Sequence, residues 1–466
     1  MAWQRTQTHF FALPASELWE VLGDPARVPE WNHAVVLLEP LEAPVAPGTA
    51  LDWVPAGEVL GRIHSATAPP AVITRLDPGT RLSWRQKQPA GHLLVDWSLR
   101  EVSGGTELTQ RVSVAGAASA VFARTAAAPL ANDFAQNCAR LYTLAGGEIS
   151  EKLRIVIAGG HGFLGSRAAA DLHCRGHEVI ILTRTIRASS PYQQVLWDGQ
   201  FQGPWSNSLY RAGFNTAVLN LAGELVDLPP TPTNIALLRD SRVNSTLALV
   251  DAAAAAPEPL VAFLQSSTTA IFSDTGDARL SEHSPLPTGT KALAQMTGVA
   301  TAWEAAVSGV RAAHLHILRT SLVFEQESPL LNRLSLLASV GLGGPVAGGT
   351  AWVSWIHLAD WLRIVRGCLG LEESLSIPDG VLHLAAPHPV RNADMMAAVR
   401  SQVAFGPLRR FSLPTPAPLV TAGAVVLRTD PALGTTSRHV SSAVLADAGF
   451  IFEHPDFDPA LGAIFG

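Results

Sequence analysis

The stretch Leu153-Arg154-Ile155-Val156-Ile157-Ala158-Gly159-Gly160-His161-Gly162-Phe163-Leu164-Gly165 decides the fold. An apolar run of strand length passes directly into a glycine-rich turn, and a helical pattern follows. Each glycine has a steric task. Gly159 permits the tight turn, Gly162 lets the backbone approach a pyrophosphate, and Gly165 lets the helix pack closely on the strand. Amides from Phe163 and Leu164 onward then point at the phosphate. A bare triplet of glycines is weak evidence; the strand before it and the helix after it make it persuasive.

The next strand, Glu178 to Arg184, ends where a dinucleotide fold reads the adenosine ribose, with Arg184 standing 19 positions after Gly165. An acidic residue there would bind the ribose hydroxyls of NAD. The chain instead offers Thr183 and Arg184, with Arg187 close behind. A cation suits the 2'-phosphate, so the expected cofactor is NADP. A third strand from Thr216 runs into the small-residue turn Leu221-Ala222-Gly223, where a cofactor can approach closely. A helix from about Asn234 to Ala255, a strand Leu260–Ser267, a helix from about Lys291 to Ser308 and a strand Ala313–Leu318 complete the alternation. This is an α/β doubly wound parallel Rossmann sheet.

Upstream, Gly146 to Lys152 separates an apolar helical pattern from that first strand, and composition changes across it. Six of the 12 tryptophans (Trp3, Trp19, Trp31, Trp53, Trp84, Trp97) precede the break. The order predicted there is a strand (Arg5–Leu13), a helix (Ala15–Leu22), a short helix (Pro29–Trp31), several alternating strands and a long helix (about Pro129–Leu144). The last helix carries Phe134, Cys138, Leu141 and Leu144 on one stripe able to lie across a sheet.

With 466 residues, 47% of them hydrophobic, the chain is too long for one core and too apolar to be largely disordered. Charged residues make up 15% and the net charge is −6, so no broad basic surface exists for nucleic-acid phosphate. Lysine occurs only at Lys87, Lys152 and Lys291. Three cysteines without a CxxC pair argue against disulfides or a cysteine-rich zinc site and for a reducing, cytoplasmic setting. The N-terminal residues lack a signal-peptide core, and the apolar stretches Leu247–Leu264 and Leu419–Leu427 are interrupted or too short for membrane insertion.

PASELWEVLGDPARVPEWN, with its proline-led helix and Pro29-Glu30-Trp31, resembles the helix-grip domains of the polyketide cyclase and START-like superfamily over residues 1–146. That resemblance implies a curved sheet and a C-terminal helix around an apolar ligand cavity, which Trp19, Trp31, Trp53, Trp84 and Trp97 would line unless they are simply core. Downstream, AGGHGFLG (Ala158–Gly165), LTR (Leu182–Arg184), Trp197-Asp198, NLAGE (Asn220–Glu224), SRVNST (Ser241–Thr246), Trp303-Glu304, Gly341–His357 with Asp360, and Ala385–Asn392 resemble the atypical epimerase-family proteins among the extended short-chain dehydrogenases. The organisation read from both is a helix-grip domain over 1–146, an NADP-binding domain over 152–384, and a small C-terminal lobe over 385–466 on the substrate side.

The resemblance places Gly159, Gly162, Phe163, Leu164, Gly165, Arg184, Leu221, Ala222 and Gly223 at the dinucleotide, with Arg242 facing its nicotinamide half. It puts Thr268 at the catalytic Ser/Thr position, and Phe272-Ser273 where a Tyr-Gly pair is usual. Standard members use a Tyr-x-x-x-Lys pair, the lysine lowering the tyrosine pKa from about 10 toward neutrality. Tyr142, Tyr192 and Tyr210 are each followed four positions on by Gly146, Leu196 and Phe214. Aligned through Trp303-Glu304, the pair falls on Met296 and Ala300, and neither transfers protons. The remaining proton-transfer candidates are Thr268, Glu224 and Glu304. No metal site is expected: His314 and His316 share a strand face without a third ligand, and Gly176 ends the helix between His173 and His177. His357 and Asp360 read as pocket wall. Two functions fit: an oxidoreductase or sugar-nucleotide-epimerase-like enzyme acting on a small hydroxyl or carbonyl compound, or a non-catalytic NADP(H)-responsive binding protein.

Overall fold

The computed structural model describes residues 3–56, 69–88, 91–116, 127–150, 153–404, 406–410, 412–416, 418 and 430–465. The apolar stretch Leu419–Leu427 and Lys152 lie outside the described residues.

Residues 3–144 form an antiparallel sheet gripped by helices. Its strands are β1 (Trp3–Phe11), β2 (Val35–Pro40), β3 (Ala50–Pro55), β4 (Ala71–Asp77), β5 (Arg81–Gln88), β6 (Gly91–Val102) and β7 (Gly105–Gly116), in the order β1-β7-β6-β5-β4-β3-β2. Alternation puts Leu82, Trp84, Val95, Trp97, Leu108 and Val112 on one buried face. Trp31 and Trp97 meet edge to face at 5.3 Å, Trp53 and Trp84 lie tilted at 5.2 Å, and the Trp97 indole donates to Gln110 at 2.8 Å.

The expected helix over 129–144 is two pieces, Ala128–Ala131 and Phe134–Leu144. Asp133 between them is left-handed, with φ 55°, and its amide donates to the Glu327 carboxylate at 2.9 Å. A tertiary bond from the far half of the chain thus overrides local propensity. Phe134, Cys138 and Leu141 are buried as the stripe requires, whereas Leu144 is exposed.

The second sheet is entirely parallel: β10-β9-β8-β11-β12-β14-β18, from β8 (Leu153–Ala158), β9 (Glu178–Thr183), β10 (Gln193–Leu196), β11 (Asn215–Asn220), β12 (Leu260–Thr268), β14 (Ala312–Thr320) and β18 (Gly380–Leu384). The strand order reverses between β8 and β11, successive strands being added outward on either side, which opens a crevice at their carboxyl ends. The helix expected from Lys291 begins later. Lys291 sits in a 3-10 turn, Ala294–Gly298 form a π turn, and an α-helix runs only from Val299 to Ala305. Leu293 is held extended while its amide donates to Ser273 Oγ at 3.0 Å, and this breaks the helix.

The C-terminal lobe is assembled from short pairs: β13 (Arg279–Leu280) with β20 (His439–Val440), β15 (Leu322–Phe324) with β17 (Trp355–His357), and β16 (Trp352–Val353) with β19 (Val390–Arg391). Its core joins Phe324, Leu331 and Trp355 to Met395, Val399, Phe457 and Leu461, so residues on both sides of position 385 build it. The strand-like Phe450-Ile451-Phe452 has no ladder partner among the described residues; Ile451 is exposed.

The two halves share packing. Ala12 N donates to Cys174 O at 2.7 Å, Gln136 Nε2 to Ser166 O at 2.7 Å, and Thr143 Oγ1 meets His173 Nε2 at 3.0 Å. Glu327 takes Arg167 in a close ion pair, with Arg5 at 3.7 Å. Helix Phe163–Cys174 is therefore clamped along one side by helix Phe134–Leu144 and β1. Among the described residues no helix is long and apolar enough to cross a membrane.

Candidate functional site

The turn after β8 is built as its glycines require. Gly159 has φ 78°, and a Cβ there would stand 2.7 Å from Leu221 O. At Gly165 a Cβ would lie 2.4 Å from Gly159 O and 2.7 Å from Gly160 Cα, both backbone, so the helix can approach only without a side chain. Gly162 opens the helix Phe163–Cys174, and no side chain caps it. Its first amides are left for a ligand or solvent, at the positive end of the helix dipole.

The loop after β11 faces this turn. Leu221 N donates to Ala158 O at 2.9 Å, and Ala222 N to Asn220 Oδ1 at 3.2 Å. Asn220 is itself fixed by its amide to Thr246 Oγ1 and Gln265 Oε1, each at 3.0 Å. Arg242 lies beneath: its guanidinium donates to Leu238 O and Glu224 O and stacks over Trp303 at 5.0 Å. Burial draws it down to about 10, partly offset by Glu224. A Cβ on Gly223 would come within 3.0 Å of this arginine. Arg242 is thus a prop under the loop.

Thr183 Oγ1 meets His161 Nδ1 at 3.2 Å and donates to Thr185 O. Arg184 is 74% exposed and pairs with Glu224 Oε1 at 3.2 Å across the crevice. A cleft of about 490 Å³ opens beside it, walled by Trp197, Asp198, Phe201 and Trp205. The cation expected to read a ribose phosphate and the carboxylate considered for catalysis are partners here. The burial that would have made Glu224 a useful base is missing, since its side chain is 36% exposed.

Thr268 ends β12. Its hydroxyl accepts from Ala270 N at 3.1 Å and starts the 3-10 turn Thr269–Phe272. Ser273 follows with φ 52° and ψ −120°, a conformation natural to glycine. Its Oγ is 2.6 Å from Thr297 Oγ1, which donates to Ile271 O at 2.7 Å. Met296, beside Thr297, and Ala300 are buried. Beneath them runs a polar row set by strand register: Ser267, Arg319 and His383 are lateral neighbours on β12, β14 and β18. Glu304 takes both arginine nitrogens at 2.8 Å and the Ser267 hydroxyl at 2.6 Å. Its oxygens are occupied, so Glu304 holds the helix Val299–Ala305 to the sheet. Sequence spacing gave no sign of Arg319 or of His383, whose partner Glu282 lies 101 positions away.

Elsewhere the titratable pairs have local employment. His357 Nδ1 accepts from Ala359 N and caps the helix Leu358–Cys368, while Asp360 accepts from Glu453 N and His454 N. Burial, with the neighbouring His454, draws His357 down to about 3. His314 and His316 both face Asp379, at 3.1 and 3.7 Å. Among the described residues no three metal-binding side chains converge.

Comparison with known proteins assigns both halves. Residues 2–145 match the family described as polyketide cyclase / dehydrase and lipid transport, and residues 155–373 the NAD dependent epimerase/dehydratase family. An epimerase family protein of Mycobacterium leprae is 30% identical over 325 residues, covering 67% of this chain and 96% of that protein. The crystal structure of the human epimerase family protein SDR39U1 with NADPH has a TM-score of 0.54 at 25% identity, covering 67% of this chain and 99% of its own. A structure described as the nucleoside-diphosphate sugar epimerase from Corynebacterium glutamicum covers 99% of this chain and 90% of its own, with a TM-score of 0.58 at 21% identity. The latter shows the fold across both sheets.

Proposed function

Since the chain belongs to the epimerase family, with an NAD(P)-binding Rossmann sheet joined to a polyketide cyclase-like domain, we propose that it binds NADP(H) and works as an oxidoreductase or epimerase-like enzyme on a small hydroxyl or carbonyl compound. The observation that carries this is the uncapped helix at Gly162 opposite the Leu221–Gly223 loop, with Arg184 exposed at the adenosine end. The turn Gly159, Gly162, Phe163, Leu164 and Gly165 would take the pyrophosphate. Thr183 and Arg184 would take the phosphorylated ribose, and Leu221, Ala222 and Gly223, propped by Arg242, the nicotinamide half. The human relative's NADPH supports the phosphorylated form.

When bound, the nicotinamide supplies or accepts a hydride. Thr268 lies at the carboxyl end of β12 and would orient the reacting oxygen by a hydrogen bond. With Met296 and Ala300 at the acid–base positions and Glu304 committed to Arg319, the accompanying proton would pass to water. We divide the chain, on this reading, into a helix-grip domain (1–146), a nucleotide domain (152–384) and a substrate-side lobe (385–466) whose core also takes in Phe324, Leu331 and Trp355. The buried indole N–H groups of Trp31 and Trp84 have no acceptor among the described residues, which suits an apolar ligand bearing an oxygen inside the first domain. The buried free thiols Cys138, Cys174 and Cys368 suit the cytoplasm.

One observation favours a second reading. Helix Phe163–Cys174, whose N-terminus would hold the pyrophosphate, is also bonded along its length to the first domain. Nucleotide occupancy would then set the affinity of that domain for its own ligand, without turnover, and the coupling would be reciprocal. Mass spectrometry of co-purifying ligands, followed by NADPH oxidation assays with the compounds found, separates the two. Oxidation supports the enzyme; a tight complex inert to every compound found supports the binding protein. No binding of either NADPH or NADH defeats both.

A further inference from the structure

We infer that Arg438 is the anchor for an oxyanion, carboxylate or phosphate, carried by the substrate. Arg438 lies in the C-terminal lobe, and its guanidinium reaches Met296 Sδ at 3.7 Å and Thr436 Oγ1 at 2.6 Å, both from Nη1. A thioether is a weak acceptor and a hydroxyl takes one hydrogen, which leaves most of the five donors of the fork unused. Three buried arginines of this half are answered by carboxylates, Arg319 by Glu304, Arg167 by Glu327, and Arg366 by Asp171 and Glu372, while Arg242 and Arg400 are bonded to backbone carbonyls. Among the described residues no carboxylate comes within ion-pair distance of Arg438. Asp274, the acid whose charge bears on it, already accepts from Gly276 N and Ser437 N.

Burial, only partly offset by Asp274, draws Arg438 down to about 10, so it remains cationic at neutral pH. Arg438 is half-buried, so the donors it leaves unused stay open to solvent or to a ligand. The backbone fixes its position. Arg438 N donates to Trp352 O at 2.9 Å, Ser437 Oγ donates to Gly276 O at 2.6 Å, and β20 begins at the next residue. Met296 belongs to the turn that Thr297 and Ser273 hold against Thr269–Phe272, directly after Thr268. The unpaired cation therefore borders the place where the reacting group would lie. A substrate with a carboxylate or phosphate near its carbonyl or hydroxyl would be fixed by bidentate hydrogen bonds there.

The proposal deepens the reading of this crevice as a substrate site, and its test stands apart from nucleotide binding. Calorimetry at constant ionic strength, with and without saturating NADPH, titrates acetate, malonate and inorganic phosphate into the full chain. Saturable binding of at least one is expected, reduced about tenfold or more in Arg438→Gln and partly kept in Arg438→Lys, with NADPH affinity unchanged. The anion that binds should also protect Arg438 of the unaltered protein from phenylglyoxal, read by mass spectrometry, which covers a variant that fails to fold. A carboxylate response with none from phosphate, or the reverse, names the group. Absence of saturable binding, equal affinity in Arg438→Gln, or unprotected labelling overturns the assignment. Loss of NADPH binding alone refutes the cofactor reading and leaves this one intact.

Discussion

Arg184 sets up the most direct quantitative prediction. In the structure its guanidinium is spent on Glu224 at 3.2 Å, and both groups face water. An exposed pair of this kind contributes only about 0.2–1 kcal/mol, so releasing the arginine costs little. A ribose 2'-phosphate offers charge-assisted hydrogen bonds of about 1.5–3 kcal/mol. The net preference for the phosphorylated coenzyme should then be about 0.5–2.8 kcal/mol, or roughly 2- to 110-fold. Arg184→Gln should weaken NADPH by that factor while NADH stays within about twofold. Arg184→Glu should reverse the preference, its carboxylate accepting the ribose hydroxyls and repelling the phosphate. Glu224→Gln should tighten NADPH slightly by freeing the arginine. The assay is titration of protein and nucleotide at fixed ionic strength, because Coulomb terms at an exposed site fade over about 8–10 Å at ordinary salt. An NADPH-to-NADH affinity ratio that is the same in all three variants and the parent refutes the reasoning.

Three further outcomes follow from the geometry. Gly165→Ala, with its Cβ forced to within 2.4 Å of a backbone oxygen, should lower the unfolding free energy by about 1–3 kcal/mol in chemical denaturation and abolish nucleotide binding; Gly162→Ala, whose Cβ would stand 3.2 Å from Gly159 O, is the milder clash and should cost less stability while weakening nucleotide binding. Breaking the buried ion pair by Arg319→Met strands Glu304 and should cost about 3–5 kcal/mol, measured as a fall in the denaturant midpoint. Burial draws His9 and His173 down to about 4 in the folded chain, below the unfolded value near 6.5; the unfolded chain binds the extra protons, so stability should hold at neutral pH and fall between about pH 6.5 and 4. Replacing His173 with Gln should flatten that part of the denaturation profile, and an unchanged profile counts against the assignment.

The parallel sheet was legible because its signals are local: β8, its glycine turn and the helix after it occupy consecutive residues, and each glycine's role is steric. The antiparallel sheet was legible from alternation and from the Trp-rich helix motif. What escaped the sequence depended on distant partners. Asp133 breaks a helix because Glu327 meets its amide, and Leu293 delays one because Ser273 holds it. Glu224 stood as a candidate for proton transfer because the sequence does not reveal that Arg184, 40 positions earlier, pairs with it. Arg319 and Arg438 gave no periodic sign, since their settings come from strand register and from a lobe folded back over the crevice.

The clamp on helix Phe163–Cys174 has a practical corollary for anyone dissecting the molecule. A fragment starting at Leu153 would bare the flank that Phe134–Leu144 and β1 now cover, and a fragment stopping at Gly146 would bare the matching one. Each piece would expose oily surface, and the cut would part Glu327 from Arg5 and from the Asp133 amide. Excised halves should clump, so a polypeptide carrying both halves is the sound starting material for ligand work.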